Sequence, residues 1–182
     1  MAATSTSSAA GAGGGEGPGA VSVRPATRDD VPEMLAMIQE LAEYEGEPSG
    51  PRITEDELLH DGFECEAPWF FGLIAEHEGR VVGHALCNRA YSSWTRRAYY
   101  VEDLFVRPPA RRRGVGLRLL QELCRMAVRD GVNRIDWHVL ESNAPALGFY
   151  ARLGALDMRL SEGRAAMRLH RDRIQDLAHD KP

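Results

Sequence analysis

Apolar positions along this 182-residue chain follow two periods, and the switches between them mark the elements. Val21 and Val23 flank Ser22 with every-other-residue spacing, which predicts a short strand. Val31, Met34, Leu35, Ile38 and Leu41 then recur at the three-and-four spacing of one helix face. Thr27, with Asp30 three residues on, reads as the start of that helix, an Asp variant of the usual capping box. Glu40, Glu43, Tyr44 and Glu45 close it on an acidic turn, and Gly46 to Pro51 makes a loop. Thr54-Glu55-Asp56-Glu57 is a capping box that opens a short second helix, to about Gly62.

The middle of the chain turns to strands. Trp69 to Glu76 reads as a buried strand, Glu78-Gly79-Arg80 as a turn, and Val81 to Tyr91 as the strand that pairs back. A polar loop from Tyr91 to Arg97 carries Trp94, and Ala98 to Val106 is the next strand. Leu117, Leu120, Leu123, Cys124 and Ala127 predict one apolar helix face ending near Asp130, with Gly131 just past the end. Arg134 to Leu140 reads as a strand. Asn143 caps a short helix containing Ala146, Leu147, Phe149, Tyr150 and Leu153, and Gly154 stops it. Residues 155–160 and 165–170 are expected to form two last strands before a short polar helical tail. The order β α α β β β α β α β β predicts the α+β class, with a mixed, mostly antiparallel central sheet flanked by helices. No internal repeat is present.

Composition narrows the picture. Residues 1–20 are rich in Ala, Gly and Ser and lack apolar bulk, so they are expected to form a disordered tail ahead of one domain over 21–180. A transit peptide would carry arginines, and none precedes Arg24. No apolar run approaches the roughly 20 residues of a membrane span. The three cysteines, Cys65, Cys87 and Cys124, show no metal-binding spacing and fit a reducing, cytoplasmic setting. The net charge of −5 conceals an asymmetry: residues 29–78 hold fifteen acidic side chains and one basic one, Arg52. Such a chain is suited to handling one anionic and one cationic ligand.

The anionic ligand has an obvious place. Val101 to Leu120 runs from an apolar, β-branched strand through Pro108 and Pro109, three arginines and two glycines into a helix. Backbone N–H groups at a helix start lack intrahelical partners, and the helix dipole favours negative charge there. Gly114 and Gly116 leave room for a phosphate, and Arg111, Arg112 and Arg113 add charge. The G-K-[S/T] of a P-loop and the G-x-G-x-x-G of a dinucleotide site are both missing. A second motif, Asn143 to Ala155, places Asn143 and Tyr150 two turns apart on one helix face. Taken alone, Phe149 and Tyr150 fit an aromatic pair in the core.

Together these motifs resemble the GNAT acetyltransferase superfamily, whose phosphate loop R/Q-x-x-G-x-G/A is matched by Arg111, Gly114 and Gly116. Its N-x-x-A-x-x-x-Y helix is matched by Asn143, Ala146 and Tyr150. The chain is most similar to the diamine acetyltransferases, which include spermidine/spermine and thialysine acetyltransferases. The matching runs are V-R-P-A-T at 23–27, E-L-A-E-Y-E at 40–45, L-L-H-D-G-F at 58–63, Y-V-E-D-L-F-V at 100–106 and F-Y-A-R-L-G-A at 149–155. The resemblance implies acetyl-CoA as co-substrate and no metal. Its pantetheine would lie along Leu104, Phe105 and Val106. Its pyrophosphate would lie on Arg111, Arg112, Arg113, Gly114, Val115, Gly116 and Leu117, with Asn143, Ala144, Pro145, Ala146 and Tyr150 lining the remainder. A homodimer is also implied.

Acetyl transfer to an amine needs a neutral nucleophile. An alkyl amine of pKa ~10.4 costs about 4–5 kcal/mol to neutralise near pH 7, and a carboxylate can take the proton. Glu102 holds that position by resemblance. Asp103 ranks second, because neighbours on a regular strand face opposite ways. The departing thiolate needs a proton donor, and a tyrosine of pKa ~10 suits, a role the resemblance gives to Tyr150. Tyr44, Glu45 and Trp94 match the family's substrate positions. The aspartate typical two residues before that tryptophan is Ser92 here, and Asp136 is expected to compensate. The resulting expectation is transfer to a primary amine of a small diamine, polyamine or thialysine-like substrate, by direct attack in a ternary complex. The alternatives are a non-catalytic acyl-CoA sensor or scaffold, a protein lysine acetyltransferase, and a nucleic-acid binder, which the acidic total opposes.

Overall fold

The structure is a computed structural model, described over residues 20–163 and 165–179. The expected tail therefore falls, but for Ala20, outside the described residues. The chain forms two compact units, one up to His138 and one from Val139.

The first unit holds a five-stranded sheet in the order β1 (Ser22–Pro25), β2 (Phe71–His77), β3 (Arg80–Ser92), β4 (Arg96–Val106), β5 (Arg134–Trp137). All pairs are antiparallel except β4 with β5. The β2–β3 turn works as the sequence requires. Glu78 and Gly79 both take left-handed backbone, φ 51° and 72°, while His77 pairs with Arg80. Two such residues twist a tight hairpin in the hand the strands need.

Helices α1 (Val31–Glu45) and α2 (Glu55–Leu59) cover one face. Their Val31, Met34, Met37 and Leu58 form a core with Ile74, Leu86 and Phe105 of the sheet. Both expected helix starts are present. Asp30 accepts from the Thr27 N–H at 2.7 Å, and Thr54 exchanges bonds with Glu57 at 2.8 and 3.2 Å. A single turn of 3₁₀ helix, Arg28–Asp30, precedes α1, and a π-helical segment, His60–Glu64, continues α2. Helix α3 (Val115–Arg129) packs against β1 to β4, and the Tyr99 hydroxyl donates to Asp130 at its end. The α3 face differs from the expected one. Val115, Leu119, Leu120, Leu123 and Ala127 are buried, while Leu117 and Cys124 are exposed. The four-residue row from Val115 sets the phase, and the expected face is offset from it.

The second unit contains α4 (Ala144–Arg152), α5 (Met158–Glu162) and α6 (Arg171–Ala178). The two strands expected at 155–160 and 165–170 are not formed: the first segment turns helical from Met158 and the second has no regular structure. Local signals override the alternation. Asp157 accepts from the N–H groups of Arg159 and Leu160 as a helix N-cap, and Gly163, at φ 65°, ends the helix in left-handed backbone.

Candidate active site

Strand β4 carries the feature that organises the site. Its register against β3 slips between Leu86 and Cys87: Asp103 opposes Leu86, Val101 opposes Cys87, and Glu102 is the extra residue. A bulge of this kind breaks the two-residue alternation. Tyr100, Asp103 and Phe105 therefore share the α1 face, since their partners Asn88, Leu86 and His84 do. The alternation that ranked Asp103 below Glu102 does not hold at this point. Strand β5 pairs with β4 only over Ala98–Val101. From Glu102 onward β4 has no β5 partner, so the bulge coincides with an open strand edge at Leu104, Phe105 and Val106.

The bulge gathers negative charge. Burial, and after it the charges of Glu102 and Glu45, push the Asp103 carboxyl up to about 6. Glu45 stands at the end of α1, followed by Gly46 in left-handed backbone, which fixes where the acidic turn stops. Tyr44, next to it, is 48% exposed. Its ring lies 4.4 Å from the Arg111 guanidinium carbon, and the Phe105 ring lies 5.5 Å from the same atom. Arg111 Nε donates to the Val106 carbonyl at 2.8 Å.

Beyond a 3₁₀ turn at Pro108–Ala110, the chain enters the basic turn. Arg112 and Gly114 are both left-handed, φ 62° and 79°, and Gly114 is the N-cap of α3. A Cβ at Gly114 would meet no protein atom within 4 Å, so glycine serves its backbone angle there, not a tight fit. Arg112 and Arg113 are exposed, and the first N–H groups of α3, from Val115, Gly116 and Leu117, are those a helix leaves unpaired. A left-handed turn, a helix start and two exposed guanidinium groups fit a pyrophosphate. Arg107, close in sequence, belongs elsewhere: it clamps Glu33 and Glu40 of α1 at 2.8 and 2.9 Å.

The other expected substrate residues lie along the sheet. Trp94 sits at the β3–β4 turn, 82% exposed, where the Ser92 hydroxyl accepts from the N–H groups of Trp94 and Thr95 at 3.2 and 3.3 Å. From Arg96 to Glu102 is about 20 Å of strand at ~3.3 Å per residue, so Trp94 is remote from the bulge. Asp136 opposes Tyr100 on the α1 face, and its carboxylate is matched by Arg134 Nε at 2.7 Å. Asp136 therefore does not offer the unmatched charge expected of a replacement for Ser92.

In the second unit, Asn143 caps α4: its Oδ1 accepts from the Ala146 N–H at 3.2 Å, with Ala144 and Pro145 in the first turn. Burial raises the Tyr150 phenol above its ordinary value, which keeps it protonated, and its ring lies 5.2 Å from Phe149.

Sequence reasoning passed over the weight of Asp103, the partner of Asp136 and the stacking of Arg111 on Tyr44. The Glu102-Asp103 pair itself was the available signal for the first. Among the described residues no group of His, Cys, Asp and Glu is placed to hold a metal ion, and no helix is long and apolar enough to cross a membrane.

An open strand edge leading through a basic turn into a helix start, on a mostly antiparallel sheet, is the arrangement of a GNAT-type acyltransferase. Residues 34–155 match the "Acetyltransferase (GNAT) family", and the chain belongs to that family. It is 34% identical over 164 residues to the thialysine N-epsilon-acetyltransferase of Mus musculus, covering 86% of this chain and 96% of that one. It is 32% identical over 166 residues to the Homo sapiens spermidine/spermine N(1)-acetyltransferase-like protein 1, covering 87% of this chain and 24% of that longer protein. In fold it resembles the aminoglycoside N-acetyltransferase AAC(6')-Iy in complex with CoA, with a TM-score of 0.65 at 20% identity over 84% of this chain and 96% of that one.

Proposed function

We propose that the chain transfers an acetyl group from acetyl-CoA to a primary amine of a small diamine, polyamine or thialysine-like substrate, within a ternary complex. The observation that carries this reading is the bulge: Asp103, Glu102 and Glu45 concentrate negative charge beside the open edge of β4. A cation that enters satisfies those charges, so an alkylammonium is the natural guest. The names of the mouse and human relatives agree with that class of substrate.

Acetyl-CoA, when bound, supplies an acyl carbon activated as a thioester. The residues of this chain do the rest. Leu104 to Val106 offer backbone groups to the extended arm of the co-substrate, and the turn 111–117 holds its pyrophosphate. Glu102 accepts the ammonium proton, directly or through water, and the freed nitrogen lone pair attacks. Asp103 and Glu45 hold the cationic substrate, with Tyr44 beside them. As the C–S bond breaks, Tyr150 donates its hydroxyl proton to the leaving sulfur, and the second proton lost from the substrate nitrogen returns through water to restore the phenol. An amine reaching towards Trp94 along the sheet passes Asp136, where it competes with Arg134.

The test is a thiol-release assay with acetyl-CoA over an amine panel: spermidine, putrescine, thialysine and a lysine peptide. Turnover confined to the free small amines is the expected result. Release with the peptide alone would make this a protein lysine acetyltransferase, and CoA binding without turnover of any amine would make it a sensor.

A further inference from the structure

We infer that Arg111 is a positioning residue that couples the phosphate turn to the amine pocket by holding the Tyr44 ring. This rests on the acetyltransferase reading and adds to it a route between the two binding sites. The phosphate turn and the end of α1 are far apart in sequence, yet one side chain joins them. The Arg111 guanidinium lies 4.4 Å from the Tyr44 ring centroid and 5.5 Å from that of Phe105. Its Nε is fixed to the Val106 carbonyl at 2.8 Å. The hydrogen bond restrains the guanidinium, and the two rings lie within cation–π distance of it. A planar cation can stack on a ring and still direct its remaining N–H groups elsewhere, whereas an ammonium cannot.

Two consequences follow. The face of Tyr44 that meets Arg111 already holds a cation, so a substrate ammonium is not read by that face. The pocket instead takes its cation through the carboxylates, and Tyr44 serves as a wall whose position Arg111 sets. In the other direction, a Tyr44 ring that restrains Arg111 reduces the freedom the turn must lose when a pyrophosphate binds. Each site then feels the loss of the other's residue.

The experiment is a double-mutant cycle on the full chain, reading CoA affinity by calorimetry and amine KM by thiol release at saturating acetyl-CoA. Tyr44→Leu is expected to weaken CoA binding about threefold to tenfold, the size of a cation–π contact, although Tyr44 is not on the phosphate turn. Tyr44→Phe keeps a ring and is expected to retain wild-type CoA affinity. Arg111→Met combined with Tyr44→Leu should weaken CoA no further than Arg111→Met alone. Arg111→Lys keeps the charge but not the planar stack, so it should raise amine KM by a larger factor than it raises the CoA Kd. Additive losses, or a CoA Kd that Tyr44→Leu leaves within twofold of wild type, would overturn the coupling. Failure of the wild type to bind CoA at all would instead remove the acetyltransferase reading beneath it.

Discussion

Two aspartates in the first unit, Asp30 and Asp103, occupy opposite electrostatic settings. Asp30 is buried at the start of α1, where Arg24 Nη1 and Nη2 reach its two oxygens at 2.7 Å each. The Thr27 N–H and hydroxyl add further bonds, and Glu76 takes the other side of Arg24 at 2.7 Å. Hydrogen bonding to Arg24 outweighs burial and pulls the Asp30 carboxyl down to about 2. Asp103 is pushed the other way, to about 6, by burial and then by Glu102 and Glu45. One carboxylate has its cation built in. The other sits among like charges, an arrangement that costs stability and that a folded chain keeps where an incoming cation completes it.

Exchanging single groups tests whether that contrast separates structure from chemistry. Glu102→Gln should have the largest effect, lowering kcat by about 10²- to 10⁴-fold with little change in melting temperature, since general base catalysis is worth that much. Asp30→Asn should do the reverse. It should lower unfolding stability by about 2–3 kcal/mol at pH 7, read by urea titration, while kcat per folded molecule holds. The sign follows from the lowered carboxyl: its contribution is complete above about pH 4 and fades as pH falls towards 2 in the wild type.

Asp103→Asn should give the smallest effect and the opposite sign. A raised carboxyl costs the fold almost nothing below about pH 3, increasingly more as pH climbs from about 4 to about 6, and its full amount above. The variant should therefore match wild type near about pH 3 and exceed it by about 1–2 kcal/mol at pH 7.5 without substrate, while the amine KM rises. Loss of stability in that variant at pH 7.5 would mean that Asp103 has a stabilising partner.

Much of this was legible in the sequence because it depends on local chemistry. The capping of α1 by Thr27 and Asp30, the Glu78-Gly79 turn, the basic turn into α3 and the Asn143 cap each need only a few adjacent residues, and each formed as expected. What escaped depends on partners distant in sequence. Alternation misplaced Asp103 because the bulge at Glu102 arises from pairing with β3. Asp136 is the exception: its partner Arg134 lies two residues before it on the same face of β5 and was open to local reading. Arg111 read as a phosphate ligand only, because nothing local reveals that the end of α1 lies against it. The strand expected at 155–160 failed for the opposite reason: Asp157 and Gly163 carried helix signals that the alternation of apolar residues obscured.

The central claim is that the bulge is an acidic pocket completed by the substrate's own charge. The most direct measurement is an NMR titration of the Asp103 side-chain carboxyl, with and without saturating spermidine. The account predicts a midpoint near 6 in the free protein and a downward move of at least about one pH unit when the amine is bound. A midpoint in the ordinary carboxylate range that spermidine leaves in place would contradict it.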